Sequence, residues 1–201
     1  MKTFGLSLTI VALLTAPGPL SSQTSTVEGL VIPPGHLVAE AVVYLIPEES
    51  EEIIRPDSHP LIDQIGLRFV PAVLVVQPGT AVEFRNSDPI LHNVFSPEDP
   101  GAGFNLGTYR RTESRSYTFA ELGVHVILCK VHPEMYAYIV VVPTPYHAVV
   151  DDAGHFHIAD VPAGQYMIHV WHRLGGRLSR PVTVGSGRTV NLTLDLRGQG
   201  E

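Results

Sequence analysis

The chain has 201 residues, with 20 acidic and 13 basic side chains, a formal charge of −7 and a single cysteine. An acidic chain with dispersed Arg and Lys binds polyanions poorly, so nucleic acid is excluded as an expected partner. One cysteine also excludes an intramolecular disulfide, and the thiol needs another explanation.

Residues 1–22 read as a secretory signal: Lys2, an apolar run over 4–14, then small and turn-forming residues to Ser22. The expectation is an exported protein, bacterial and periplasmic, whose mature chain starts near Gln23. Removing that segment deletes Lys2 and no acid, so the charge becomes −8. No membrane span is expected in the mature chain, because even the apolar run 137–142 is stopped by Pro143 and Pro145. In an oxidising compartment a lone free thiol is accounted for by metal coordination. An inert buried cysteine and an intermolecular disulfide are the plain alternatives.

Strand signals dominate the rest. Runs rich in β-branched and aromatic residues lie at 26–32, 41–46, 72–76, 81–84, 124–129 and 138–142, then at 155–158, 165–173, 180–184 and 189–196. Gly and Pro, at 18 and 17 residues, interrupt them at the short intervals of antiparallel sandwiches, and no long stretch has helical periodicity. The predicted class is all-β. The acidic run Pro47-Glu48-Glu49-Ser50-Glu51-Glu52, followed by Pro56 and Pro60, suits an exposed connection.

The chemistry concentrates in Cys129-Lys130-Val131-His132-Pro133-Glu134-Met135. Thiolate, imidazole and thioether at three-residue steps form a soft donor set that favours copper over oxygen-seeking ions. One imidazole is still missing, and His92 in Pro89-Ile90-Leu91-His92-Asn93-Val94 is the candidate. Residues 93–128 leave room for strands that bring the two segments together at one end of a sandwich. Two histidines and a cysteine in a trigonal plane with a weak axial methionine describe a blue-copper electron-transfer site. Zinc uses the same first three groups, and Met135 could instead be an ordinary core residue.

Both segments resemble the cupredoxins, and the Cys-x2-His-x2-Met loop is most like the short ligand loop of amicyanin. Carried over position by position, the resemblance makes His92, Cys129, His132 and Met135 the ligands of one copper ion cycling between Cu(I) and Cu(II). It further implies that the Asn93 backbone amide donates to the cysteine sulfur and that Asn86 ties the neighbouring loop; Asn86 is equally at home in a simple turn. Asp63-Gln64, Asn86-Ser87-Asp88-Pro89, Thr144-Pro145-Tyr146 and Val170-Trp171-His172 resemble bacterial methylamine-utilisation-like proteins, which pair a cupredoxin with a carboxypeptidase-regulatory-like sandwich. Those proteins commonly carry Asn after the cysteine, where this chain has Lys130. The resemblance thus implies a cupredoxin-like Greek-key sandwich combined with a carboxypeptidase-regulatory-like, or transthyretin-like, β-sandwich. Asp151-Asp152-Ala153-Gly154 through Gln165-Tyr166 fits the second of these, and Gly29-Leu30-Val31 with Ala41-Val42-Val43-Tyr44-Leu45 fits its opening.

The expected organisation is therefore a signal peptide at 1–22, first strands of the regulatory-like sandwich at 24–55, an inserted copper domain at 61–143, and the remaining strands at 145–197. A simple tandem is the alternative. The expected function is one-electron transfer to an exported redox protein or enzyme, basic at its docking surface, with Tyr136, Pro133 and Phe95 around His132 as a contact patch. Copper storage or delivery, and a scaffold role for the regulatory-like sandwich, are the alternatives. No nucleophile elbow or zinc-protease helix is present, so a catalyst is not expected.

Overall fold

Alternation decides the strands. In β13 (His155–Val161) the side chains of His155 and His157 face solvent while Phe156 and Ile158 are buried, the period of two that a half-covered sheet imposes. The computed structural model describes residues 24–35, 40–49, 59–97 and 103–198. The expected signal peptide and residues 50–58 of the acidic connection lie outside them.

Sixteen strands are described. They are β1 (Ser25–Ile32), β2 (Ala41–Pro47), β3 (Leu61–Gln64), β4 (Phe69–Val70), β5 (Val73–Val76), β6 (Thr80–Asn86), β7 (His92–Ser96), β8 (Phe104–Tyr109), β9 (Ser114–Phe119), β10 (Gly123–Leu128), β11 (Tyr136–Val141), β12 (His147–Val149), β13, β14 (Gly164–His172), β15 (Arg177–Val184) and β16 (Thr189–Asp195). The all-β expectation holds. Among the described residues no helix is long and apolar enough to cross a membrane.

The strands form four sheets, of order β5-β11-β10-β7-β8, β4-β3-β6-β9, β12-β2-β14-β15 and β13-β1-β16. The first two enclose one apolar core around Ile62, Phe84, Val94, Tyr109, Phe119, Ile127 and Ile139. The last two enclose a second around Val27, Leu45, Phe156, Tyr166, Ile168 and Leu194. Each fully buried side chain of this size contributes about 1.5–3 kcal/mol. Among the described residues β1 and β2, near the start of the chain, pair with strands from its far end: β1 with β13 and β16, β2 with β12 and β14.

The two sandwiches share a seam. Val42, Val73, Val140 and Val142 pack together there, with Tyr44, Tyr138 and Trp171 against them. The Trp171 ring lies 5.2 Å from that of Tyr138 across this seam. Pro181, lacking an amide donor, is accommodated because β15 is an edge strand.

Two features of the second sandwich have measurable consequences. Gly29 lies in β1, between β13 and β16, and a Cβ there would run into the backbone carbonyl of Leu192. Gly29→Ala should cost about 1–3 kcal/mol or more, the price of overpacking against backbone that cannot yield, read as a lowered urea midpoint. His147 is half-buried with its Nδ1 unpartnered among the described residues. Desolvation pushes its pKa below the ordinary histidine value and outweighs a backbone hydrogen bond at Thr144 that pushes the other way. The folded protein then takes up this proton less readily than the unfolded chain. The resulting stability is complete above the ordinary histidine pKa and is lost as pH falls through the folded value. In metal-free protein the urea midpoint should fall more steeply on acidification than in His147→Gln, by no more than about 1.4 kcal/mol per pH unit for one group.

Candidate metal centre

Three strand ends meet at the site. His92 opens β7, Cys129 follows the last residue of β10, and Met135 precedes the first residue of β11. Because β7 and β10 are neighbours, with Leu128 opposite Phe95, residues 37 positions apart become adjacent. His92 is fully buried and Cys129 is 3% exposed, whereas His132 on the connecting loop is only half-buried.

The donor atoms form a triangle. His92 Nδ1 lies 3.0 Å from His132 Nδ1, and Cys129 Sγ lies 4.0 Å from each. The circumcentre of that triangle is about 2.2 Å from every corner, beside typical bond lengths to zinc of roughly 2.0–2.1 Å for nitrogen and 2.3 Å for sulfur. A single ion therefore fits in the plane of the three donors. Among the described residues this is the only group of three or more His, Cys, Asp or Glu side chains close enough to hold a metal. Met135 is 1% exposed and belongs to the same apolar cluster as Cys129, and its amide donates to the His132 carbonyl at 3.0 Å.

The surroundings fix these donors. The Asn93 backbone amide donates to Cys129 Sγ at 3.4 Å. The Asn93 side chain donates to Asn105 Oδ1 at 2.9 Å and the Gly107 carbonyl at 2.8 Å, while its Oδ1 accepts from the Lys130 amide at 3.4 Å. One residue thus links both ligand segments to β8. Asn86, fully buried, donates to the carbonyls of Ile90 and Tyr109 at 2.9 and 3.1 Å and accepts from the Asp88 amide at 2.9 Å, so it ties a loop and closes a turn at once. Tyr109 beneath it accepts from Gln64 Nε2 at 2.7 Å and donates to the Phe84 carbonyl at 3.0 Å; burial raises its phenol pKa.

Asp88 is the residue that sequence reasoning missed. Its Oδ2 lies 2.9 Å from His92 Nε2, and the carboxylate accepts from the amides of Gly66 and Leu67 at 2.7 and 3.0 Å. Desolvation alone would raise its pKa, but the two amides and His92 together hold it below the ordinary carboxylate value. An ionised Asp88 accepts the Nε2 proton of a neutral His92, which leaves the Nδ1 lone pair aimed at the triangle. The signal available in the sequence was an acid four residues before a candidate ligand.

Other expectations fare differently. Pro133 is exposed, but Tyr136 is half-buried and hydrogen-bonded, and Phe95 lies under Lys130, whose Nζ is 4.9 Å from the ring centroid. Exposed apolar side chains near the site are Ile90, Leu91 and Val131 on the ligand segments and Leu67, whose amide donates to Asp88. Elsewhere, His155 and His157 pair with Asp151 and Glu28, while His169 and His172 lie in the opposite sheet.

No protein-family model and no curated protein matches this chain. Solved structures do. One is a reduced proline-to-phenylalanine mutant of amicyanin, at 24% identity and a TM-score of 0.41, covering 49% of this chain and 99% of that one. A Cu(I) form of another amicyanin mutant gives the same four values. A purple cupredoxin from Nitrosopumilus maritimus matches at 23% identity and a TM-score of 0.37, covering 41% of this chain and 99% of its own. These structural neighbours are cupredoxins. The chemistry available to this chain rests on the triangle and its surroundings.

Proposed function

We propose that this chain is an exported one-electron carrier that holds a single copper ion with His92, Cys129 and His132, and with Met135 as the weak axial donor. The observation that supports it is the His-Cys-His triangle, which is the size of one metal's coordination plane and buried on two of its three corners. A thiolate and two imidazoles suit copper, and the thioether behind them adds a soft fourth group. Bound copper supplies the redox couple between Cu(I) and Cu(II).

The residues supply the rest. Cys129 binds as thiolate, and the Asn93 amide directed at its sulfur withdraws charge from it. Asp88 orients His92, and Asn93 bridges the two ligand segments, so the donors are held in place before metal arrives. His132 is the partly exposed ligand, and Leu67, Ile90, Leu91 and Val131 around the ligand segments give a redox partner an apolar contact. The net charge of −8 of the exported chain suits a partner that is basic around that contact. The pairing of β1 with β13 and β16, and of β2 with β12 and β14, supports the inserted organisation, in which the copper sandwich interrupts the second one.

Titration of the purified chain with copper, followed optically under anaerobic conditions and then on oxidation, tests the proposal. An intense visible band saturating at one copper per chain, and reversible on redox cycling without metal loss, is the expected result. Saturation without that band, or release of copper on each cycle, would favour storage or delivery.

A further inference from the structure

Among the described residues the second sandwich hydrogen-bonds to Tyr136, at the downstream end of the ligand loop. Arg173, one residue beyond β14, donates through Nη1 to Glu40 Oε2 at 2.8 Å and to the Tyr136 hydroxyl at 2.6 Å, and that hydroxyl donates to Glu40 Oε1 at 3.2 Å. The guanidinium carbon sits 4.4 Å from the Tyr136 ring centroid, and the Arg173 amide donates to the Glu40 carbonyl at 3.1 Å. The ion pair is largely sheltered, with side-chain exposures of 29% and 14%. Glu40 holds this place with φ +68°, a left-handed backbone that a residue with a Cβ adopts only at a cost in energy. Two charged groups, from parts of the chain distant from it, thus converge on one phenol.

Tyr136 is the residue after Met135. Upstream, the loop is tied to β7 through Asn93, and at its downstream end the Met135 amide donates back within the loop, to the His132 carbonyl. The Met135 side chain is packed in the apolar cluster with Cys129, and the residue that follows it, Tyr136, is the one the second sandwich grips. Resting on the copper reading above, we propose that Glu40 and Arg173 are positioning residues that clamp Tyr136, and through it Met135, so that the second sandwich sets how firmly the axial sulfur is held at the metal. A weaker axial donor favours Cu(I) and raises the reduction potential.

The test uses the full chain loaded with copper and compares Arg173→Met, Glu40→Gln and Tyr136→Phe, with Arg197→Met, which breaks an exposed ion pair on the same sandwich, as the control. Loss of the Arg173 charge and loss of the Glu40 charge act on copper with opposite electrostatic sign. A clamp instead moves the potential upward in all three variants and changes the copper hyperfine pattern, while the thiolate absorption persists and Arg197→Met is silent. In metal-free protein, hydrogen exchange at the Met135 amide should rise about tenfold in the three variants, as expected when a charge-assisted hydrogen bond no longer opposes local opening. Potentials that move in opposite directions for Arg173→Met and Glu40→Gln, or that match the unsubstituted protein, overturn the clamp and leave the copper reading intact. Absence of thiolate absorption in the unsubstituted protein overturns both.

Discussion

Replacing Cys129 with serine should abolish the intense visible absorption of the copper-loaded protein and leave only the weak bands of copper bound to nitrogen and oxygen. The reasoning starts from the donor atom. Sulfur is the softest of the ligands proposed here, and only a thiolate bonded to copper gives that absorption its strength. Serine is nearly isosteric, and the Asn93 amide that now points at sulfur can donate to the hydroxyl, so the core around a residue 3% exposed should survive. Unfolding midpoints close to those of the unsubstituted metal-free protein, together with loss of the band, separate ligation from folding. Copper affinity should fall by more than the roughly 10–100-fold typical of removing an outer-shell partner. A variant that kept the band would remove Cys129 from the site.

The second large effect is expected at Asp88. In Asp88→Ala the fully buried His92 loses the acceptor of its Nε2 proton, and the amides of Gly66 and Leu67 lose theirs. The ring is then free to change tautomer or rotate, and either change withdraws Nδ1 from the triangle. Copper affinity should drop about 10–100-fold, measured by competition with a chelator of known strength. Asp88→Asn retains a hydrogen-bonding group but no charge, so its affinity loss should be smaller. Its reduction potential should rise, because a negative charge beside the ligand stabilises Cu(II) over Cu(I). Unchanged affinity in Asp88→Ala would show that packing alone orients His92.

What could be read from the residues, and what could not, divides along physical lines. The ligand loop was legible because Cys129, His132 and Met135 sit within seven residues and their chemistry is concentrated. The strands with dense β-branched character were legible for the same reason; β2 and β16 start where expected, and β6 and β11 extend two residues beyond the expected run at one end or the other. Strands that depend on their partners were not. β9 (Ser114–Phe119) is mostly polar and lies at a sheet edge, β8 (Phe104–Tyr109) carries Asn105 and Gly107, and β12 spans three residues, so none has a local signal strong enough to stand alone. Asp88 was hidden because an acid in an Asn-Ser-Asp-Pro sequence looks like any turn. The grip of Arg173 on Glu40 spans 133 residues, and no local pattern reports a contact at that separation.

X-ray absorption at the copper edge of the protein loaded with one equivalent of metal tests the central claim most directly, since it measures the ligand shell itself. The expected result is two nitrogen neighbours near 2 Å and one short sulfur, about 2.2 Å, as the triangle of His92, His132 and Cys129 allows. A shell containing only nitrogen and oxygen, or a copper–copper distance, would contradict it.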